Sequence, residues 1–491
     1  MRLSFPIRIY ILALVLRLIP VMLTRGLGIG LDDMFQYDML ARSLASGNGY
    51  RWYAQSDLER LSEYVHFDQS TAADYDPKYG LYTSFRAPLY PAFLSVVYFF
   101  SGLGFSRFFF ARTVQAVLLG APLAPLTYYA AKHFPFQGID AQQEKQEHIA
   151  KVSAYIVACY PMLVIYPLGL STENLFFLLL LLSLIFLFKG IERPTLLNFL
   201  LLGILLALTT LTRSVILPFA GLAIFFLILA ERRLSIRNGG VIAGLVFTLL
   251  VTPWIIRNSL LHHKLTGIET SMGYNLYLGY HPQGNGSFVF GPSLDLLAIV
   301  DDAKRDEVGI QKALVFIEEW PERIIPLAMN RLGYFFGLED RALIYLYSNN
   351  LFGYIPAPIL VVLGLLLLSP FVIVSASAIP GLILLKRNSQ TSFLILLLVS
   401  YLLPHVLILS EDRFHLALVP LLAILAAGFW MYGISGLVSK WRESFAGKSR
   451  VLLAILGVLL LFMNWGIELA FNAHKITALL SPGGNLLYLP Y

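Results

Sequence analysis

Charge is what this sequence has least of. Asp, Glu, Lys and Arg make up 13% of its 491 residues against 57% apolar residues, where soluble domains carry roughly 25% charge. A soluble chain of this length would form two to four domains, each with a polar skin that this composition cannot supply. Runs such as Leu175–Phe188, Val241–Val251 and Leu360–Leu368 hold no charge at all. The alternating ten-residue segments of a membrane barrel are missing too, so the fold class is an all-α polytopic membrane protein. Cysteine is nearly absent: Cys159 stands alone, which excludes an internal disulfide and any CxxC metal or redox site. No internal repeat or low-complexity tract is evident. No basic stretch is interleaved with aromatics, so the net charge of +6 reflects the positive-inside rule rather than nucleic-acid binding.

What is present is a series of apolar segments of about 20 residues, the length a bilayer requires. Spans are expected near 5–23, 107–131, 149–167, 171–188, 195–212, 214–231, 238–256, 352–385, 391–409, 414–437 and 450–472. The first lacks a small-x-small cleavage site and is interrupted by Arg17, so it reads as an uncleaved span and not a signal peptide. The segment 87–103 is short and holds Pro88, Pro91 and Gly102. Placing the Lys and Arg clusters at 132–151, 189–193, 232–237, 386–387 and 440–450 in the cytoplasm works only if 87–103 does not cross. About eleven spans follow, with outer juxtamembrane helices and outer loops. The N-terminus is cytoplasmic, and every long loop is extracytoplasmic apart from 132–150. Three regions result: 1–258 with its first outer loop 24–106, a large outer loop 259–350, and C-terminal helices with an outer tail over 351–491.

Polar chemistry gathers where spans meet the outer face. Asp32-Asp33 follows the first span and opens an amphipathic helix. The pair serves either as an acidic N-cap or as a general base for an acceptor. Arg86 precedes Pro88-Leu89-Tyr90-Pro91 at headgroup depth, either a snorkelling anchor or a phosphate ligand. Glu173 stands in Ser171-Thr172-Glu173-Asn174, where a helix cap explains the hydroxyls better than the carboxylate. Arg213, Arg257 in Pro253-Trp254-Ile255-Ile256-Arg257, and Arg413 in Glu411-Asp412-Arg413 complete the set. Arg17, inside a span, is expected to pair with one of the acids. His66, His262 and His263 read as loop or interfacial residues. A transporter would place polar groups and broken helices near the midplane, whereas these lie at one surface.

In order along the chain, Asp32-Asp33-x-x-x-Tyr37, Ala41-x-x-Leu44-Ala45-x-Gly47-x-Gly49-Tyr50 and Arg86-x-Pro88-Leu89-Tyr90-Pro91 resemble the start of a GT-C glycosyltransferase. The resemblance is to the family-39-like set, which holds protein O-mannosyltransferases and aminoarabinose transferases. Ala111-Arg112-x-x-Gln115, Ser171-x-Glu173, Leu211-Thr212-Arg213, Pro253-Trp254-x-x-Arg257-Asn258 and Glu411-x-Arg413-Phe414 follow in the expected order. The resemblance implies a transferase that moves a sugar, with inversion, from a polyprenyl-phosphate carrier to an acceptor lipid, glycan or protein on the outer face of the plasma (inner) membrane. It assigns Asp32 and Asp33 to catalysis, with the base open between them because Asp-Asp replaces the commoner Asp-Glu. Arg86, Arg413 and Arg257 would bind the donor phosphate, and Tyr37, Tyr90 and Glu173 would position acceptor or sugar. The resemblance names no cofactor, and a divalent metal at Asp32 and Asp33 is left open. A polymerase or ligase of lipid-linked glycans is one alternative, and a flippase for a lipid-linked sugar is another.

Overall fold

The computed structural model of the protein describes residues 3–68, 72, 74–136, 142–229, 231–341, 343 and 355–481. Helices dominate it because apolar segments in a bilayer must satisfy their own backbone N–H and C=O groups. Among the described residues the one sheet is a pair of two-residue strands, Arg51–Trp52 against Leu81–Tyr82, antiparallel. Among the described residues, eight helices are long and apolar enough to cross a membrane: Phe5–Leu23, Arg107–Ala131, Thr172–Glu192, Leu234–His262, Ala357–Ile383, Ser389–Leu407, Asp412–Glu443 and Phe445–Phe471. A ninth is formed if Gln143–Cys159 and Pro161–Leu168, bent by 56°, make one broken span. The bend falls at Pro161, which has no N–H to continue the ladder.

The expected spans 195–212 and 214–231 are helical but shorter, Leu196–Thr212 and Ser214–Leu229. At 1.5 Å per residue each is roughly 25 Å long, below the ~30 Å of a hydrocarbon core. They part at Arg213, whose backbone is extended (φ −148°, ψ 115°). The start of the expected span 352–385 lies outside the described residues, and the helix there begins at Ala357. Leu89–Ser101, of 13 residues, is roughly 20 Å long and too short to cross, as the charge pattern required. Its Tyr90, Leu94 and Tyr98 are buried, while Phe99 and Phe100 are exposed.

Arg17 does not pair with an acid. It is fully buried, and its guanidinium donates to the carbonyls of Ala13, Val157 and Ala158, each at 3.1 Å. Val157 and Ala158 lie just before the break at Tyr160-Pro161, where helix-end carbonyls lose their partners. A forked cation meets that need without a counter-ion.

Two regions between the long apolar helices set the site. In the first, the Asp33–Ala45 helix is fastened by buried Asp38, which accepts from Arg42 (2.8 Å), Arg107 (2.8 and 2.9 Å) and Tyr98 (2.9 Å). The strand pair returns the chain to this helix through Gly80, at φ +75°. A Cβ there would lie 2.0 Å from the Trp52 carbonyl oxygen, so only glycine closes the turn. Tyr50 then donates to the Arg86 carbonyl at 2.9 Å. In the second region, the buried Asp302 carboxylate gathers Thr83 Oγ1 (2.9 Å), the Ser84 N–H (2.6 Å) and Thr270 Oγ1 (2.9 Å). One carboxylate thus joins the two regions two residues from Arg86.

Candidate active site

Asp32 is the N-cap of the Asp33–Ala45 helix, and its Oδ1 accepts the Met34 N–H at 2.8 Å. The capping reading of this residue therefore holds. Capping engages one oxygen and leaves the side chain exposed. Crowding by protein on its inner side, and the neighbouring Asp33 charge, raise the Asp32 carboxyl above the usual aspartate range even against the Met34 hydrogen bond.

Asp33 faces inward. One carboxylate oxygen accepts from Arg86 Nη2, and the other accepts from Arg413 Nη2 at 3.2 Å. Burial would raise its carboxyl, but the two guanidiniums outweigh burial and hold it below the ordinary range. Arg86 also donates from Nε to Gln36 Oε1 at 2.8 Å and lies 5.3 Å over the Tyr37 ring. Burial would lower the Arg86 pKa; the Asp33 charge overrides it and raises the value instead.

The ionic network continues from Arg413. Its Nε is 2.8 Å from Glu411 Oε2 and 3.8 Å from Glu173 Oε1. Glu173, buried at the start of its span, pairs with Arg213 Nη1 at 2.6 Å and accepts from the Ser171 and Thr172 hydroxyls. Arg341 bridges Glu411 (2.8 Å) and Asp412 (2.6 Å). Six stretches of sequence, at Asp33, Arg86, Glu173, Arg213, Arg341 and Glu411–Arg413, thus converge on one network. Among the described residues Nη1 of Arg86 and Nη1 of Arg413 have no hydrogen-bond partner, and both side chains are partly exposed. Two partly free guanidiniums on one carboxylate present the kind of donors that a phosphate accepts from.

An apolar groove of about 330 Å³ is lined by segments that also carry residues of this network. Leu89 and Phe93 line it from the short helix after Arg86, Leu175 and Leu179 from the span headed by Glu173, and Leu208 from the helix that ends before Arg213.

Not every expected residue joins the network. Tyr37 does, through Arg86. Tyr90 is buried one layer behind, with its ring edge on Tyr37 and its hydroxyl donating to Gln115 Oε1 at 2.6 Å. Arg257 donates to the Thr83 carbonyl at 2.6 Å and packs over Trp254 and Tyr50, so it braces the loop carrying Arg86. The Asp32–Asp33 pair makes a poor metal site, because the two arginines already occupy the Asp33 oxygens. Among the described residues the group whose ligand atoms converge, within 4.8 Å, is His262, Asp301 and Asp302. There His262 Nε2 lies 2.6 Å from Ser84 Oγ, and Asp302 is engaged by hydroxyl and N–H donors.

Sequence reasoning missed Gln36, Arg341 and Glu269. Gln36 sits one turn from Asp32 on the same helix, a spacing that could have drawn attention to it. Arg341 ends the charged Glu339-Asp340-Arg341 run, which was a usable signal. Glu269, bonded to the Ser214 hydroxyl beside Arg213, lies in a loop with no motif.

Residues 142–256 match the family model described as dolichyl-phosphate-mannose-protein mannosyltransferase. No curated protein is matched by the chain. Among solved structures it is similar to ArnT from Cupriavidus metallidurans bound to undecaprenyl phosphate, at 13% identity over 89% of this chain and 80% of that one, with a TM-score of 0.40. The apo state of the same protein gives 12% identity, 88% and 79% coverage, and a TM-score of 0.36. Over residues 142–256, which include Glu173 and Arg213, the chain is therefore similar to the mannosyltransferase family that its ordered motifs resemble.

Proposed function

We propose that this protein is a membrane glycosyltransferase that takes a sugar from a polyprenyl-phosphate carrier and passes it, with inversion, to an acceptor on the extracytoplasmic face of the plasma (inner) membrane. The observation that carries this reading is the joint hold of Asp33 on Arg86 and Arg413, on segments that also line an apolar groove through Leu89 and Leu175. The groove takes isoprenoid chain, and the free guanidinium nitrogens take the phosphate at its end. The family match over residues 142–256 supports the same class of donor.

In the reaction an acceptor oxygen or nitrogen attacks the anomeric carbon from the face opposite the phosphate. The new bond forms as the carbon–oxygen bond to phosphate breaks, and its electron pair stays on the phosphate oxygen. Arg86 and Arg413 stabilise that developing charge. Asp32 accepts the acceptor proton: it is exposed, keeps one oxygen free of the cap and binds protons more strongly than an ordinary aspartate. Asp33 holds the arginines in register and is a positioning residue. Glu173 plays the same part for Arg213 and Arg413. One displacement needs no covalent carboxylate intermediate, unlike retaining hydrolysis.

The test is transfer by the purified protein in lipid, with radiolabelled polyprenyl-phosphate sugars and a membrane-extract acceptor pool. Sugar transfer by wild type, lost at least a hundredfold in Asp32→Asn with folding intact, is the expected result. Binding of carrier with no release of sugar from any donor would favour the flippase reading. Transfer from a pyrophosphate-linked oligosaccharide alone would favour the ligase.

A further inference from the structure

A second cavity, of about 420 Å³, lies within the large loop region and shares no lining residue with the apolar groove. Its walls are the 264–270 loop and one face of the Asp302–Glu319 helix, with Asp306, Glu307, Ile310 and Gln311 at helical spacing. Among the described residues no aromatic side chain lines it. Its ionisable groups are Glu269, Asp306, Glu307 and Lys264, and Lys264 is already paired with Glu307 at 3.2 Å. The cavity is therefore acidic, with threonine hydroxyls and a glutamine amide beside the carboxylates.

Two adjacent residues in its wall tie it to the ionic network. Glu269 accepts from the hydroxyl of Ser214, next to Arg213. Thr270 donates its N–H to the Ser84 carbonyl at 2.9 Å, two residues before Arg86. The wall at 269–270 thus stands between this cavity and two arginine-bearing segments, and the Glu269 charge acts on Arg86 itself.

We propose that this cavity is the acceptor port: it admits a hydroxyl-rich acceptor without negative charge from the aqueous side and delivers it past Glu269 to the site. The inference rests on the glycosyltransferase reading. It adds that donor and acceptor enter by separate openings, one apolar and one acidic. Carboxylates and an amide accept hydrogen bonds from sugar hydroxyls, whereas a phosphorylated acceptor would meet like charge across the opening.

The experiment gives the full-length protein in lipid nanodiscs a radiolabelled polyprenyl-phosphate sugar. Transfer is compared between soluble neutral oligosaccharides and their phosphorylated counterparts. Wild type is expected to favour the neutral acceptors by about tenfold or more, the discrimination like-charge repulsion supplies. Glu269→Gln is expected to raise the KM for the neutral acceptor about tenfold, the loss of one charged hydrogen bond. The double variant E307K/Q311K should lower the neutral-to-phosphorylated ratio at least tenfold, a change that general loss of folding would not produce. A ratio unmoved by E307K/Q311K overturns the port, as does donor hydrolysis by wild type with transfer to neither acceptor. A wild type that neither hydrolyses nor transfers from any donor overturns the glycosyltransferase reading, and the port with it.

Discussion

Asp33 and Arg413, 380 residues apart in sequence, meet at 3.2 Å, and the same carboxylate also holds Arg86. One short side chain therefore fixes the spacing of two cations that no local rule relates. The arrangement makes Asp33 an organiser and leaves Asp32 free to exchange protons.

Replacing Asp33 with Asn should release both guanidiniums together. Carrier binding is expected to weaken about tenfold or more, since each arginine loses a charged hydrogen bond. The depressed Asp33 pKa has a stability consequence with a definite sign. Its stabilisation is present above the ordinary aspartate value of about 3.9 and is lost as pH falls through the lower folded value. Thermal melts of wild type and D33N at stepped acidic pH check this: the two should converge at the acid end.

Asp32 has the opposite shift. Only its ionised form accepts a proton, so transfer should increase as pH rises through a value above the ordinary aspartate range and then level off. The limb belongs to Asp32 if D32N removes it from the pH–rate profile. An unchanged limb on the residual activity of D32N would falsify the assignment.

Arg17 is structural, and its loss should appear in stability and not in substrate affinity. Arg17→Ala leaves the carbonyls of Val157 and Ala158 without their partner beside the Pro161 break. A cost of about 3 kcal/mol is expected for the lost charge-assisted bonds. Lysine should restore little of it, because a single ammonium lacks the fork. Unfolding of the purified variants in one detergent measures both.

Behind the Glu411–Arg413 turn, Glu339 Oε1 lies 2.9 Å from His415 Nε2 and accepts from the Tyr160 hydroxyl at 2.6 Å, all three side chains being buried. Glu339→Ala strands both partners in the interior, at about 1–3 kcal/mol for each buried group left unsatisfied. Glu339→Gln keeps one acceptor and should lose less. Equal melting temperatures for the two variants would show that the acceptor oxygen contributes nothing.

Much of the architecture was legible from residue order alone. Hydrophobic run length and the placement of Lys and Arg identified the long apolar helices, and the two prolines and short length of 87–103 marked the helix that does not cross; the short helices Met272–Tyr280, Phe290–Leu297 and Ile324–Phe335 of the large loop carried no such signal. Spans are local: about 20 apolar residues satisfy their own backbone whatever lies beside them. Chain order also drew attention to Asp33, Arg86, Glu173 and Arg413, because acids and arginines at an interface are costly enough to need a reason.

Which charge meets which was settled only in three dimensions. Arg17, Arg112 and Arg331 look in sequence like Arg86, Arg213 and Arg413, yet the first three donate to backbone carbonyls at helix breaks and loop ends. The second three face carboxylates. Apart from the acids beside Arg413, the neighbouring residues do not separate the two groups, because a guanidinium donates to carboxylate and carbonyl oxygens alike. The choice depends on what the packed helices bring within about 3 Å, and that contact is made by the fold as a whole.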